Sequence, residues 1–521
     1  MQNVDKRILW VDDEVELLEP HLLFLRQRGY VVDTTTNGDD ALEMVRRRPY
    51  DLVLLDEQMP GRRGLEVLTR IRREEPHARV VMVTKSEEDQ TLAEAIGRRV
   101  DDYLTKPVSP RQVLSVVKRL LEGQALRQQF TAQDLAARFG ELSRAKDEAS
   151  TWRDYLRLYN ELVDWELRLH DTGETGLLDS VVALADDLRR EFGEYVSREY
   201  PSWVMRDAAD RPPLSTDVVQ QFVMPQLVNG RTMLFVIIDC VRLDQWRVLR
   251  PLLADRFDID EDLYISILPT ATPYARNALF SGLFPDEIAE RKPGWWSSLN
   301  DEGSLNAFED ELFAEQLERL TGRRVPVHYE KVFTDAGSDD LVARVRGALD
   351  MAGVVTLVFN FVDMLTHGRS ESAILMEVAR DERALRDLTR QWFERSAALR
   401  ILDEAATAGV PVVLTSDHGS IHCQRPLTVY ARRDATSNLR YKFGQDLRAE
   451  KPGGVFAVND ETQLRFPAGR LATNYLIALE DHFFVYPTKL REYQARYRGS
   501  FLHGGISPEE MILAVATLTP R

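Results

Sequence analysis

Apolar positions along the first 122 residues alternate between two rhythms. Short runs, RILWV at 7–11, YVVDTT at 30–35, DLVLLD at 51–56 and ARVVMVT at 78–84, read as strands buried on both faces. Between them VELLEPHLLFLRQRG at 15–29, GDDALEMVRRR at 38–48 and GLEVLTRIRREE at 64–75 carry helical spacing, the first closing at Gly29. DDYLTKP at 101–107 brings Lys106 and Pro107, and SPRQVLSVVKRLLEG at 109–123 is a last helix with Ser109 or Pro110 near its start. This alternation predicts an α/β domain over 1–122, a doubly wound parallel sheet.

From 123 to 228 the spacing is helical throughout. Leu126, Phe130, Leu135, Phe139, Leu142, Trp152, Leu156, Leu162 and Leu169 recur at helical intervals, DTGETG at 171–176 is a turn, and LLDSVVALADDLRREFGEYV is a second amphipathic helix. DRPPLS breaks the pattern before a short third helix, TDVVQQFVMPQL. The expectation is a central helical bundle that links two domains, with a dimer seam or transmission of the first domain's state as its functional alternative. No helix-turn-helix signal or basic recognition helix follows the first domain, which argues against direct transcription-factor output.

Residues 229–521 return to α/β patterning. TMLFVIIDC is a strand ending at Asp239; VVTLVFNFV is a strand followed by Asp363 and His367; and ALRDLTRQWFERSAALRILDEAATAG reads as one long helix with a glycine stop. VPVVLTSDHG is a buried strand that ends in Ser416, Asp417, His418 and Gly419, and FLHGGISPEE places His503 before two glycines. Open α/β sheets gather ligands at the carboxyl ends of their strands.

Two sets of side chains carry chemistry. In the first domain Asp12, Asp13, Asp56 and Thr84 stand at strand ends. Three carboxylates in one crevice suit a hard cation such as Mg²⁺, and Asp56 beside it can act as a nucleophile toward a phosphoryl group, with Lys106 and Thr84 positioned for the added charge. In the third part, Asp363 and His367 are four residues apart, so one helical turn presents both to a single ion, and Asp417 and His418 reach a second. Carboxylate with imidazole suits Zn²⁺, with Mn²⁺ second; paired ions sit about 3.5–4 Å apart in two-metal hydrolases. Thr272, in PTATPYARNALFSG, is the candidate nucleophile, and since no Ser-His-Asp arrangement surrounds a nucleophile elbow, activation of its hydroxyl by a metal is the better account. If Thr272 caps a helix beginning near Tyr274, the backbone there also favours an anion.

Residues 5–122 resemble the CheY-like receiver domain of two-component response regulators, a flavodoxin-like (βα)5 fold. The resemblance implies Asp56 as phosphoacceptor, Mg²⁺ on Asp13 and Asp56 with Asp12 orienting, and Thr84, Tyr103 and Lys106 as switch residues. Lys85 departs from the small residue usual after the switch Thr or Ser, which bears on phosphoryl lifetime or partner choice. Residues 229–521 resemble the alkaline phosphatase superfamily, and within it the PglZ branch, through PTATPYARNALFSG, DMLTH, TSDHG and HGGISPEE. That resemblance implies an alkaline-phosphatase-like α/β domain holding two zinc ions. Asp363, His367 and His503 would bind one, Asp239, Asp417 and His418 the other, with Thr272 between them.

The three parts together resemble PorX-type response regulators. The resemblance implies a sensor histidine kinase partner, a role in regulating type IX secretion, phosphodiesterase action on cyclic or linear oligonucleotides, and a homodimer formed on phosphorylation or zinc binding.

Other polar residues near these motifs carry two readings each. Arg276 and Asn277, just after Thr272, hold a substrate phosphate or point into helix packing. Arg440 and Lys442, in NLRYKFG, form a solvated cationic loop or a phosphate contact. His422 is expected outside the ligand set, and His21, His77, His170 and His328 read as surface or packing residues.

Composition narrows the field. A net charge of −17 argues against broad binding to nucleic acid or anionic membrane while leaving room for a small cationic pocket. The chain has no apolar run of spanning length and no signal-peptide pattern, and its two cysteines, Cys240 and Cys423, are too few for a disulfide framework; a cytoplasmic protein is expected. Two function classes follow: a response regulator with a zinc-dependent phosphodiesterase, in which Thr272 forms a phosphothreonine that metal-activated water cleaves, or an adaptor that binds a sigma factor or other protein, with structural metals and incidental turnover.

Overall fold

The computed structural model describes residues 6–75, 78–85, 100–173, 175–205, 210–227, 231–293, 306–334, 337–351, 353–369, 372–432, 436, 438–467 and 474–521. His77 and the expected domain boundary between 228 and 229 lie outside them, as does Glu174 of the expected turn. The chain forms two compact units, Met1–Asp134 and Leu135–Arg521.

In the first unit the strands are β1 (Arg7–Val11), β2 (Val31–Thr35), β3 (Leu52–Asp56), β4 (Val80–Thr84) and β5 (Asp102–Thr105), all parallel in the order β2-β1-β3-β4-β5. Alternation along β1 decides which layer each side chain joins. Leu9 and Val11 pack with α2 (Gly38–Arg47) and α3 (Gly64–Glu74), while Ile8 and Trp10 pack with α1 (Glu19–Arg26) and α4 (Pro110–Leu121). Pro110 is the first helical residue of α4, and Ser109 caps it in a reciprocal box with Gln112.

Helix α5 (Gly123–Asp147) runs into the second unit, followed by α6 (Trp152–Thr172) and α7 (Thr175–Trp203). A Thr151–Asp154 box starts α6 and Gly173, at φ 76°, ends it. The expected apolar stripe divides: Leu135, Leu142, Leu156, Leu162 and Leu169 are buried, while Phe130 is 65 % exposed. The helices share one continuous core with strand residues Leu234, Val236 and Ile512, so they fold onto the domain that follows. The third short helix is present over 215–226 in irregular form, 3₁₀ at Ser215–Asp217, π at Val219–Val223 and 3₁₀ again at Met224–Gln226, with Pro225 at the second position of the last.

The sheet of this unit has six strands: β6 (Thr232–Ile238), β7 (Phe257–Ile265), β8 (Val327–Val332), β9 (Gly353–Phe359), β10 (Val412–Thr415) and β11 (Ile512–Pro520). Their order is β7-β11-β10-β6-β9-β8; β10, β6, β9 and β8 are parallel, and β11 and β7 close one edge antiparallel. Strands β6, β9 and β10 are buried along their whole length, as their near-continuous apolar runs require. Helices α8 (Leu243–Leu249), α9 (Thr272–Ser281), α10 (Glu309–Thr321), α11 (Ser338–Leu349) and α12 (Phe361–Arg369) come from the connections. The long helix expected over 384–409 is two, α13 (Glu382–Arg395) and α14 (Ala397–Thr407). Ser396 breaks it: its backbone is extended, and its hydroxyl accepts the N–H of Leu399 as the cap of the second helix. No helix among the described residues is long and apolar enough to cross a membrane.

Candidate metal centre and receiver pocket

The carboxyl ends of three parallel strands converge. Strand β6 delivers Asp239, β10 delivers Asp417 and His418, and β9 leads through Asn360 into α12, which carries Asp363 and His367. His503 is remote in sequence and arrives by a small pairing: Phe501–Leu502 runs antiparallel to Ile421–His422, just beyond the β10 loop. Thr270 fixes this loop further. Its hydroxyl donates to the Gly505 carbonyl at 2.7 Å and accepts the Gly504 N–H at 3.1 Å, while its own carbonyl lies 3.2 Å from His503 Nδ1. Gly419 lets the two loops touch, because a β-carbon there would stand 2.0 Å from the Glu509 carbonyl oxygen.

Two clusters result. Asp363, His367 and His503 offer ligand atoms within 4.8 Å of one another, and so do Asp239, Asp417 and His418. His367 Nε2 lies 3.3 Å from Asp363 Oδ1, His503 Nε2 lies 3.5 Å from the same oxygen, and the rings of His418 and His503 stack at 4.2 Å. Thr272 Oγ1 is 2.9 Å from His418 Nε2. Thr272 is the first residue of α9 rather than its cap; Ala271 holds the cap position and Pro273 follows, so the hydroxyl is not used on the helix and faces the clusters.

The donor chemistry fits metal ions. Asp417 is fully buried, and neither of its carboxylate oxygens has a hydrogen-bond partner; Oδ1 of buried Asp239 has none either. Arg276 Nη1 comes no closer to Asp417 than 3.7 Å, and a buried carboxylate without hydrogen bonds is unfavourable in a way that a cation relieves. Burial, with the charges of Asp417 and Asp363 nearby, drives Asp239 well above the usual carboxylate range despite Arg276. Burial and the neighbouring His418 and His367 hold His503 well below its ordinary value, which leaves it neutral, the form that ligates. Mixed imidazole and carboxylate donors of this kind suit zinc.

A cavity of about 250 Å³ opens over these residues. Thr272, Asp239, Asp363, His367 and His503 line it, together with side chains that no motif marked: Asn306, Lys331, Phe333, Asn360 and Asn438. Lys331 Nζ sits 2.8 Å from Glu309, which also accepts from Arg276 Nε at 2.8 Å. Arg276 lines the same cavity and directs Nη1 to Asp239 at 2.5 Å, with Asp417 Oδ2 3.7 Å from the same nitrogen, so its guanidinium stands among three buried acids. Asn277 takes the packing alternative, donating to the Pro273 carbonyl one turn back in its own helix. The reading of Arg440 and Lys442 as a solvated loop or phosphate contact is corrected, since both are fully buried. Arg440 forms an ion pair with Glu510, and Lys442 donates to the carbonyls of Thr436 and Asn438 at 2.8 and 2.9 Å, with its ammonium 4.8 Å from the Tyr486 ring centre. His422 stacks on Phe501 and belongs to neither cluster. Cys240 and Cys423 are buried free thiols.

In the first unit, Asp12 and Asp13 follow β1, and Asp56 ends β3; their ligand atoms lie within 4.8 Å of one another. Lys106 Nζ stands 2.7 Å from Asp12 and 2.8 Å from Asp56. Burial raises the Asp56 carboxyl above its usual value, opposed by Lys106 and assisted by Asp12. Thr84 ends β4, and its carbonyl accepts the Lys106 N–H at 2.7 Å. Tyr103 is 44 % exposed on β5. Lys85 pairs with Glu14 at 3.1 Å, and both border a cavity of about 440 Å³ that reaches Asp12 and Lys106.

Three family descriptions match the chain in sequence. The BREX system PglZ alkaline phosphatase-like domain covers residues 218–518, the response regulator receiver domain 8–118, and the PorX response regulator linker domain 125–204. This order is that of the PorX-type fusion. Among curated proteins, the chain is 36 % identical over 131 residues to the transcriptional regulatory protein ResD of Bacillus subtilis, covering 25 % of this chain and 54 % of ResD. It is 39 % identical over 129 residues to the transcriptional regulatory protein BaeR of Escherichia coli, covering 25 % and 53 %. The chain thus spans about half the length of these curated relatives. Solved structures similar to it include the response regulator TrrA from Thermotoga maritima in complex with Mg²⁺-BeF, at 36 % identity, 22 % of this chain, 99 % of that one and a TM-score of 0.21. A CheY-like receiver domain protein from Methanospirillum hungatei matches at 28 % identity, 23 % of this chain, 95 % of that one and a TM-score of 0.22.

Proposed function

The chain belongs to the PglZ alkaline phosphatase-like family, joined to a response regulator receiver domain, and from that premise we propose a metal-dependent phosphodiesterase whose activity is set by phosphorylation of Asp56. The observation that carries the proposal is the position of the Thr272 hydroxyl, 2.9 Å from His418 on the wall of a cavity shared by the two clusters, one of which contains a buried carboxylate with no hydrogen bond to either oxygen. Two zinc ions, or manganese in their place, held by Asp363, His367 and His503 and by Asp239, Asp417 and His418, would supply Lewis-acid charge and lower the pKa of a bound alcohol or water.

The chain's own residues do the rest. Thr272, at the start of α9, presents its oxygen where the helix end favours an anion. The Thr272 Oγ1–phosphorus bond forms as the bond from phosphorus to the leaving oxygen breaks, and the proton given up by the threonine hydroxyl ends on that leaving oxygen, which departs as the alcohol. Water then attacks phosphorus, releasing the phosphate monoester and restoring the threonine hydroxyl. Lys331 places positive charge on the cavity wall, and Arg276 offsets Asp239 and Glu309. Substrates are cyclic or linear oligonucleotides, the phosphodonor to Asp56 is a sensor histidine kinase with Mg²⁺ at Asp12, Asp13 and Asp56, and the output is regulation of type IX secretion, with a homodimer forming on phosphorylation or zinc binding. These assignments follow the likeness to PorX-type regulators.

The test pairs elemental analysis with turnover of a chromogenic phosphodiester and its monoester by wild-type and Thr272→Ala protein. About two zinc ions per chain and diester cleavage reduced at least ~10³-fold in the variant are expected. Full turnover by Thr272→Ala would remove the nucleophile assignment. Bound zinc with negligible turnover in both proteins would favour the adaptor, with a sigma factor among its binding partners.

A further inference from the structure

The cavity over Thr272 is small for the substrates just proposed. At about 250 Å³ it falls below the roughly 300–1,000 Å³ of typical small-molecule sites. It admits the reacting phosphoryl group and its immediate substituent; the rest of an oligonucleotide must lie across the rim. On that rim stands Phe333, which lines the cavity and is nevertheless 54 % exposed, one of the few large apolar side chains left open to solvent. Its placement follows from the strand before it. Along β8, Lys331 faces the cavity and Val332 is buried on the opposite side; Phe333 continues the alternation just past the strand's carboxyl end. That end lies beside Asn360, whose N–H donates to the Val332 carbonyl, and so beside the turn into α12 that delivers Asp363 and His367. Lys331 is itself held by Glu309 at 2.8 Å and the Asn306 carbonyl at 2.6 Å, so what the rim offers a single strand is an exposed aromatic face next to the proposed phosphoryl-transfer site, the platform on which a base stacks.

Resting on the diesterase reading, we propose that Phe333 is a stacking platform for a nucleobase attached to the diester that Thr272 attacks, so that the site selects nucleic-acid diesters over diesters without bases. Phe333 acts on binding and leaves the bond-breaking step to Thr272.

The experiment measures kcat and KM of the zinc-loaded full chain on three diesters: an adenine dinucleotide, the same compound with abasic sugars, and one with alkyl groups in place of the bases. Phe333→Ala, an exposed substitution, should raise KM for the adenine dinucleotide about tenfold, leave its kcat unchanged and leave both base-free diesters unaffected; Phe333→Trp should restore the low KM. Equal KM changes on all three diesters, or none on any, would overturn the platform while the diesterase stands. Wild-type protein that loads zinc and cleaves none of the three would overturn the diesterase reading, and this inference with it.

Discussion

The chain carries two clusters of acids at the carboxyl ends of parallel strands, and they are built differently. In the receiver, Asp12 and Asp56 are buried but Asp13 is exposed, all three candidate ligands are carboxylates, and the compensating charge is Lys106, bonded to two of them. In the output domain, Asp239, Asp417 and His418 are fully buried, three imidazoles join three carboxylates, and neither carboxylate oxygen of Asp417 has a hydrogen-bond partner, the Arg276 guanidinium standing 3.7 Å away. A pocket that takes up and loses a hard ion and a phosphoryl group needs an open ligand, oxygen donors and a built-in cation to receive the new charge. A pocket meant for a resident ion needs nitrogen donors, exclusion of water and a charge deficit that only the ion repairs. On the proposed reading, the same strand-end device would serve exchange in one place and retention in the other.

Asp417→Asn tests that distinction most severely. Zinc affinity should fall at least about 100-fold, read by titration against a chelating indicator, with diester turnover falling alongside. In chelator-treated protein the sign should reverse. Removing a buried charge that no hydrogen bond satisfies, and that Arg276 offsets only from 3.7 Å, should stabilise the metal-free chain by about 1 kcal/mol, seen as a higher denaturant midpoint. Asp56→Asn in the receiver should abolish phosphoryl acceptance while moving the midpoint by less than about 1 kcal/mol, because Lys106 keeps Asp12 as a partner. A chelated Asp417→Asn protein less stable than wild type would collapse the contrast.

That contrast was half visible in the sequence. Short continuous apolar runs placed Asp56, Asp239 and Asp417 at strand ends, and the four-residue spacing placed Asp363 and His367 on one turn, because both patterns are local. What escaped depends on partners far along the chain. Arg440 looked like a surface cation because its neutralising acid, Glu510, lies 70 residues away. Asn306, Lys331 and Phe333 line the cavity without any motif, since they reach it from a loop and an edge strand whose position only the sheet order sets. The helix break at Ser396 was hidden by apolar spacing that continues through it; a serine that caps the next helix is the one local signal it left.

The two clusters also differ in what backs them. Behind His503, the loop Gly504–Glu510 is held by buried ion pairs: Arg440 with Glu510, and Arg189, from helix α7, with Glu509 at 2.7 Å. Burial works against the Arg189 charge, but Glu509 more than compensates and its pKa is raised. Arg189→Leu should therefore cost about 2 kcal/mol of stability by leaving Glu509 without this partner, and weaken zinc retention as the loop loosens. Arg189→Lys should recover part of both. Unchanged zinc retention in a destabilised Arg189→Leu protein would show that the helices support the fold without reaching the metal cluster.

The smallest effect is expected at the receiver's departure from its resemblance, Lys85. Its ammonium is held 3.1 Å from Glu14 at the edge of the cavity that reaches Asp12 and Lys106. Both side chains are about half exposed, so the pair itself adds at most about 1 kcal/mol to stability and is screened by salt. Its consequence lies in access. Together Lys85 and Glu14 form a charged border where a small residue would leave the approach to Asp56 open to water. Lys85→Ala should therefore leave the melting temperature almost unchanged and shorten the lifetime of phosphorylated Asp56 by about threefold, the rate equivalent of well under 1 kcal/mol. Phosphate release followed at low and high ionic strength separates the causes: a barrier made by the ion pair weakens with salt in wild type and not in Lys85→Ala, whereas a purely steric one is indifferent to salt in both. A receiver pocket tuned from its rim by so weak a pair, against an output cluster expected to lose zinc affinity when one carboxylate is neutralised, is the form the difference between the two sites takes in a measurement.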